Sequence, residues 1–316
     1  MIPKLLYKYF PAERASVLEN GLIRFTQAGD LNDPFELRAV FKSVYSKQDL
    51  TRVIDRTVNK ELLAVLPSVP KQHRPQLMAI ARERATVEIR PQIEEGITQV
   101  LRLFNNLILP QAANTAVGVL SLTQDPLSLL MWAHYAQSHQ GFVIQLNTRS
   151  AFFALQAGVH EDFGKLHEVK YTKRRLVFDV SADNTSNAID MLCTKPIEWA
   201  YEKEWRLVRP LNSCNARVLR PPFDICLYQL PPDAVDAVFV GDRLSRASFD
   251  SIAAALGPSG YFSTANLFGV RMHESEFSLE YFPLRNFEEL QTDENRSKEG
   301  KLLVEQVEAA KAGTHS

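Results

Sequence analysis

The sequence predicts an α+β fold, with a mixed, mainly antiparallel sheet core and a helical insertion, on three observations. Strand-like runs rich in aromatic and β-branched residues gather in 5–44 and 117–284, with few strand–helix–strand alternations. Between them, residues 46–110 carry no glycine before Gly96 and repeat apolar residues at helical spacing. No internal repeat replaces this pattern with a solenoid.

Each element has a local reason. Leu5-Leu6-Tyr7-Lys8-Tyr9-Phe10 reads as a strand, and Pro11 follows where a helix can start. Residues 12–20 have helical character and stop at Gly21, which suits a left-handed cap. Residues 22–26 form a second strand, and Gly29, Asn32, Asp33 and Pro34 make 27–34 a loop. A third strand is expected over 35–44. Leu62, Leu63, Leu66, Ile80, Val87, Ile97, Val100, Leu101 and Phe104 then imply two or three helices.

Strand character returns at 117–123. A helix follows over about 127–139, with Asp125 as its cap, Pro126 at its first position and Gly141 as its stop. Further strands are expected at 142–146, 168–171, 199–209, 225–230, 234–240 and 279–284, with helices at 182–193 and 245–256. The organisation is one domain over 1–285 and a polar, partly helical tail over 286–316.

Composition narrows the function classes. Thirty-six basic against 37 acidic residues give a net charge of −1, so no global field favours nucleic acid or anionic lipid. Cys193, Cys214 and Cys226 are widely spaced and form no zinc or disulfide pattern. Neither a signal peptide nor a bilayer-length apolar run is present, so a cytoplasmic protein without a membrane partner is expected. The phosphate-loop, dinucleotide, zinc-protease and hydrolase-elbow motifs are all missing.

Four segments carry possible chemistry. In Trp199-Ala200-Tyr201-Glu202-Lys203-Glu204-Trp205-Arg206, strand alternation would set Glu202, Glu204 and Arg206 on one face and the aromatic residues on the other. Two such carboxylates can orient a sugar hydroxyl and stabilise an oxocarbenium-like cation. The plainer reading is a solvated face with a Glu–Arg ion pair. Ser121 and Thr123 share a face at a strand end, where hydroxyls can hold a ribose or serve as caps. Met131, Tyr135 and His139 form one helical stripe, framing a pocket or simply packing the helix. His134 and His139 diverge around the helix and lack a third ligand, so no metal site is expected. Asn32-Asp33-Pro34 is a turn offering ligand contacts, with Lys8, Arg24 and Arg38 as candidate phosphate contacts.

Taken in order, Leu6-Tyr7-Lys8-Tyr9, Glu19-Asn20-Gly21, Asn32-Asp33-Pro34-Phe35-Glu36, Ser121-Leu122-Thr123, Met131-Trp132-Ala133-His134-Tyr135-Ala136, Gly141-Phe142 and Tyr201-Glu202-Lys203-Glu204-Trp205-Arg206 resemble the bacterial domain-of-unknown-function family 2971 over about 4–285. The order of elements is more distantly similar to the ADP-ribosyltransferase fold. That resemblance implies NAD as substrate, with Lys8 or Tyr9 at the first-strand position in place of the usual arginine or histidine. It sets Ser121 and Thr123 on the second strand and Glu202-Lys203-Glu204 on the third. Glu204 would be the catalytic carboxylate, Glu202 would orient the acceptor, and Tyr135 would stack on nicotinamide, with Asn32 and Asp33 nearby.

The resemblance implies an ADP-ribosyltransferase or NAD glycohydrolase acting on a protein or nucleic-acid acceptor or on water, a toxin-like effector in bacterial defence. The alternatives are a non-catalytic nucleotide-sensing or protein-interaction module that uses the 46–110 helices, and a metal-dependent nuclease on Asp33, Glu36 and Glu204.

Overall fold

The structure is a computed structural model and describes residues 1–37, 40–42, 47–154, 161–179 and 186–291. The chain divides into two compact units, one formed by Met1–Pro34, Asn114–Lys173 and Cys193–Ser316, the other by Phe35–Ala113 and Arg174–Leu192.

The first unit is built on an eight-stranded sheet. In spatial order its strands are Leu279–Pro283, Asn266–Met272, Val235–Gly241, Phe142–Asn147, Leu5–Phe10, Val117–Thr123, Glu204–Pro210 and Leu166–Glu168. Every neighbouring pair is antiparallel except Val235–Gly241 with Asn266–Met272. That parallel pair needs a crossover, and helix Arg246–Leu256 lies in it, capped by Ser245 accepting from the Ser248 amide. A smaller antiparallel sheet joins Ala216–Val218, Ile225–Gln229 and Leu22–Phe25. Lys170–Thr172 and Thr194–Pro196 form a short parallel pair.

Alternation along Leu5–Phe10 explains why the sheet is buried on both faces. Leu6 and Phe10 join a core with Leu18, Phe25, Leu120, Leu122, Ile144 and Leu207. Tyr7 and Tyr9 join a second with Trp132, Val143, Phe239 and Phe268. Full burial of such a side chain contributes roughly 1.5–3 kcal/mol. Lys8 interrupts the Leu6–Phe10 face with an amine. Gly21 ends helix Ser16–Asn20 at φ 69°, as its sequence position predicts, and a Cβ there would meet the Leu230 carbonyl at 2.8 Å.

The second unit packs helices Lys47–Leu63, Arg74–Arg84 and Arg90–Leu103 around Leu50, Ile54, Val58 and Ala85. The five-residue turn Ala85–Ile89 joins the latter two, and strand Val40–Lys42 pairs in parallel with Val177–Asp179. No helix among the described residues is long and apolar enough to cross a membrane.

Several expected elements are shorter or differ in kind. The strand predicted over 199–209 begins only at Glu204: Ile197–Glu202 is a 3-10 turn closed by Lys203 at φ 44°. Glu202 therefore does not alternate with Glu204 along a strand. The helix predicted over 127–139 spans Leu129–Tyr135. Ser128, not Asp125, caps it by accepting from the Met131 amide, while Asp125 accepts from Leu127 N at 3.0 Å. Gln137, Ser138 and His139 all have positive φ, so His139 leaves the stripe of Met131 and Tyr135. Within 35–44 the described strand is Val40–Lys42, and the helix expected at 182–193 spans Ser186–Leu192. Arg38 and most of the tail lie outside the described residues.

Candidate functional site

The first strand treats its two neighbours differently. All six residues of Leu5–Phe10 pair with Phe142–Asn147, but only Tyr7 pairs with Val117–Thr123, opposite Thr123. A pocket of about 230 Å³ opens along the poorly paired flank. It is lined by three consecutive residues of each strand, Tyr7-Lys8-Tyr9 and Ser121-Leu122-Thr123. Consecutive strand residues point to opposite faces, so a cavity touching all three lies in the gap between strands rather than on one face. Arg24, Asp30, Asn32, Tyr135, Lys195, Glu202, Glu204 and Arg206 complete most of its wall.

Glu204 faces this pocket from the start of its strand, opposite Thr123, and Arg206 follows opposite Ser121. Both are almost fully buried, at 4% and 1% exposure. The Arg206 Nε donates to Glu204 Oε1 at 2.8 Å, and Lys195 Nζ donates to Glu204 Oε2 at 3.0 Å. Burial by itself raises the Glu204 carboxyl, but Arg206 and Lys195, with hydrogen bonds from Arg206 and Ser121, outweigh it and hold the carboxyl at about 2. The group is an anion throughout the physiological range.

Glu202 reaches the same place by another route. The left-handed turn at Lys203 swings it back, and Lys195 Nζ donates to its Oε2 at 2.5 Å. Tyr135 donates its hydroxyl to Glu202 Oε1, and Asn32 Nδ2 donates to that hydroxyl. Burial and the Glu202 carboxylate together push the Tyr135 phenol up. Lys195 thus bridges both glutamates and lies 4.9 Å over the Trp199 ring. The Tyr171 hydroxyl accepts the Glu204 amide at 2.8 Å, fixing the strand's first residue.

The predicted site residues separate into two groups. Lys8, Tyr9, Ser121, Thr123, Tyr135, Asn32, Glu202 and Glu204 all line the one pocket. The Thr123 hydroxyl is committed to structure, donating to the Glu202 carbonyl at 2.5 Å and accepting from Asp125 N at 3.1 Å. Tyr9 likewise donates to the Asp125 carbonyl at 2.8 Å. Asp33 is buried outside the pocket lining, and Glu36 belongs to the second unit. His139 stacks on Trp132 and faces Asp242, away from the pocket. Among the described residues no three His, Cys, Asp or Glu side chains are grouped so as to hold a metal ion.

The Glu–Arg ion pair weighed from sequence does exist, yet it is buried rather than solvated. Lys195 and Tyr171 were not anticipated. Their sole sequence signal is a polar group inside a short strand-like run, and it is the parallel pairing of Lys170–Thr172 with Thr194–Pro196 that gives it meaning.

The family model described as "Protein of unknown function (DUF2971)" matches residues 131–207. The match runs from the short helix to the Glu204 strand, so it includes Tyr135, Lys195, Glu202, Glu204 and Arg206 but neither Lys8 nor Ser121. No curated protein and no solved structure matches the chain.

Proposed function

We propose that this pocket is the site of an NAD-dependent ADP-ribosyl transfer, with hydrolysis of NAD as the outcome when water is the acceptor. One observation carries the reading: Glu204, Glu202, Ser121 and Lys8, from three separate parts of the chain, converge on a single cavity. At about 230 Å³ the cavity is smaller than the roughly 300–1,000 Å³ of whole small-molecule sites, and suits the nicotinamide–ribose end of the dinucleotide.

In this reading the bond between ribose C1′ and the nicotinamide nitrogen breaks, and nicotinamide leaves with the bonding electron pair. Positive charge grows on the ribose, where the Glu204 carboxylate, ionised throughout the physiological range, stabilises it. A group held at about 2 supplies charge and accepts a ribose hydroxyl hydrogen; it has no proton to give. Glu202 takes the proton of the acceptor nucleophile as the new bond to C1′ forms. Tyr135, anchored by its hydroxyl, forms the wall against which nicotinamide stacks. The toxin-like role goes with this reading and rests on the family resemblance.

A second reading, a nucleotide sensor that binds without cleaving, is favoured by one observation. Both Glu204 oxygens already carry a cationic partner, which spends part of the carboxylate's field. Release of free nicotinamide from NAD, with cell extract supplying acceptors, separates the two. The wild-type chain is expected to release it and Glu204→Gln to lose on the order of 100-fold in rate or more. NAD bound but uncleaved supports the sensor, and NAD neither bound nor cleaved overturns both.

A further inference from the structure

The long helical stretch of the second unit turns an apolar stripe to solvent. Its backbone stays right-handed helical from Arg74 through Ile108, with five-residue wide turns at Ala85–Ile89 and Phe104–Ile108 flanking the regular helix Arg90–Leu103. Along it Ile89, Ile93, Gly96, Val100, Leu103 and Leu107 recur at alternating steps of four and three residues. A spacing that averages 3.5 residues keeps one seam on one side of a helix, as packing on a facing helix requires. The seam is not consumed within its own unit. Ile93 packs on the core of Leu50, Ile54 and Val58, but Ile89, Val100, Leu103 and Leu107 stay 45–62% exposed.

Gly96 points to a visitor on the same face. Glycine is the poorest helix former after proline, yet a Cβ at this position would meet nothing within 4 Å. Its own fold therefore gives no reason for the missing side chain. A close approach from outside does, because a glycine in a helical seam leaves a hollow for a facing side chain. The spacing reads the same in both directions, so an antiparallel second copy meets the seam with its own. Ile89 then faces Leu107, Ile93 faces Leu103, and the hollow at Gly96 faces Val100, each pair occurring twice across the two-fold axis. The flank beside the seam carries the amides Gln92 and Gln99, with Glu95 and Arg102 one step further round. Antiparallel pairing sets Glu95 of each copy level with Arg102 of the other, whereas parallel pairing sets like charge level with like.

We propose that this stripe is a homodimer seam, in which helix Arg90–Leu103 packs antiparallel against the same helix of a second copy. Burial of the exposed valine, isoleucine and leucine side chains drives the association, and the Gly96 hollow fixes its register. The seam lies within the second unit and stands whatever the pocket of the first unit binds.

The test is sedimentation equilibrium of the full chain, which is expected to pass from monomer to dimer between about 1 and 100 µM. Leu103→Glu places a charge in the seam and is expected to weaken association about 100-fold or more. Gly96→Ala separates the seam from a damaged fold. Alanine favours the helix and meets nothing in its own chain, so the melting temperature measured near 1 µM, roughly where the chain is monomeric, is expected to rise. The same methyl fills the hollow, and the dimer is expected to weaken about tenfold. Orientation is read by mixing copies that carry Gly96→Cys with copies that carry Val100→Cys under mild oxidation. Cross-links between the two kinds of copy are expected to form faster than cross-links within either kind. A chain still monomeric near 100 µM, or a dimer unaffected by both Leu103→Glu and Gly96→Ala, overturns the seam. Preferential cross-linking of Gly96→Cys copies to one another overturns the antiparallel arrangement.

Discussion

The two flanks of the first strand make an instructive contrast. On one flank Leu5–Phe10 is zipped residue for residue to Phe142–Asn147, and what it buries there is apolar, with Val143 and Ile144 fully inaccessible. On the other flank a single pair, Tyr7 with Thr123, holds the strands together, and what is buried beside the gap is charged: Glu204, Arg206, Lys195 and Glu202. The same strand therefore serves as core on one side and as a pocket wall on the other. Complete ladders satisfy the backbone and leave room only for packing, whereas parted strands admit polar side chains that must satisfy one another.

Breaking the polar flank should cost most. Lys195→Met leaves two carboxylates buried against one remaining arginine, and about 3–5 kcal/mol of stability is expected to be lost in urea unfolding. A cost under about 1 kcal/mol would mean that the network is wet and only loosely held.

Acid sharpens the same contrast. Because the Glu204 carboxyl titrates at about 2 in the folded chain and near 4.5 when unfolded, the unfolded chain binds the extra proton between those values. Stability from this group is thus complete above about pH 4.5 and is lost as pH falls towards 2, on the order of 3 kcal/mol in all. Glu204→Gln should flatten that part of the stability–pH curve. An unchanged slope would show that Glu204 is not held below the usual carboxylate range.

The smallest effect belongs to Tyr135→Phe, which removes the hydroxyl between Asn32 and Glu202. A loss of about 1 kcal/mol is expected in the same unfolding experiment, with the zipped flank undisturbed in its amide exchange.

How much of this was legible in the sequence follows from the range of each interaction. Leu5–Phe10 announces itself by composition, and Gly21 ends its helix because a left-handed residue is needed there. The turn before Glu204 was hidden because Lys203, not glycine, takes the positive φ, leaving Tyr201-Glu202-Lys203-Glu204-Trp205 to read as unbroken alternation. The early end of the helix at Tyr135 has the same cause, since Gln137, Ser138 and His139 adopt left-handed conformations with no glycine to mark them. Glu204 and Ser121 could be picked out one by one, but Lys195, which ties the two glutamates together, depends on pairing between segments over twenty residues apart. Nothing local distinguishes such a lysine from a surface one.

The most direct test of the central claim follows backbone amide resonances of the full chain as NAD is added. A nucleotide seated in the gap should shift the amides of Tyr7, Lys8 and Tyr9, of Ser121 to Thr123, and of Glu204 and Arg206, while strand Val235–Gly241, beyond the zipped flank, stays still. Shifts confined to Val235–Gly241 and its neighbours, or none at saturating NAD, would contradict the assignment of the parted flank as a nucleotide site.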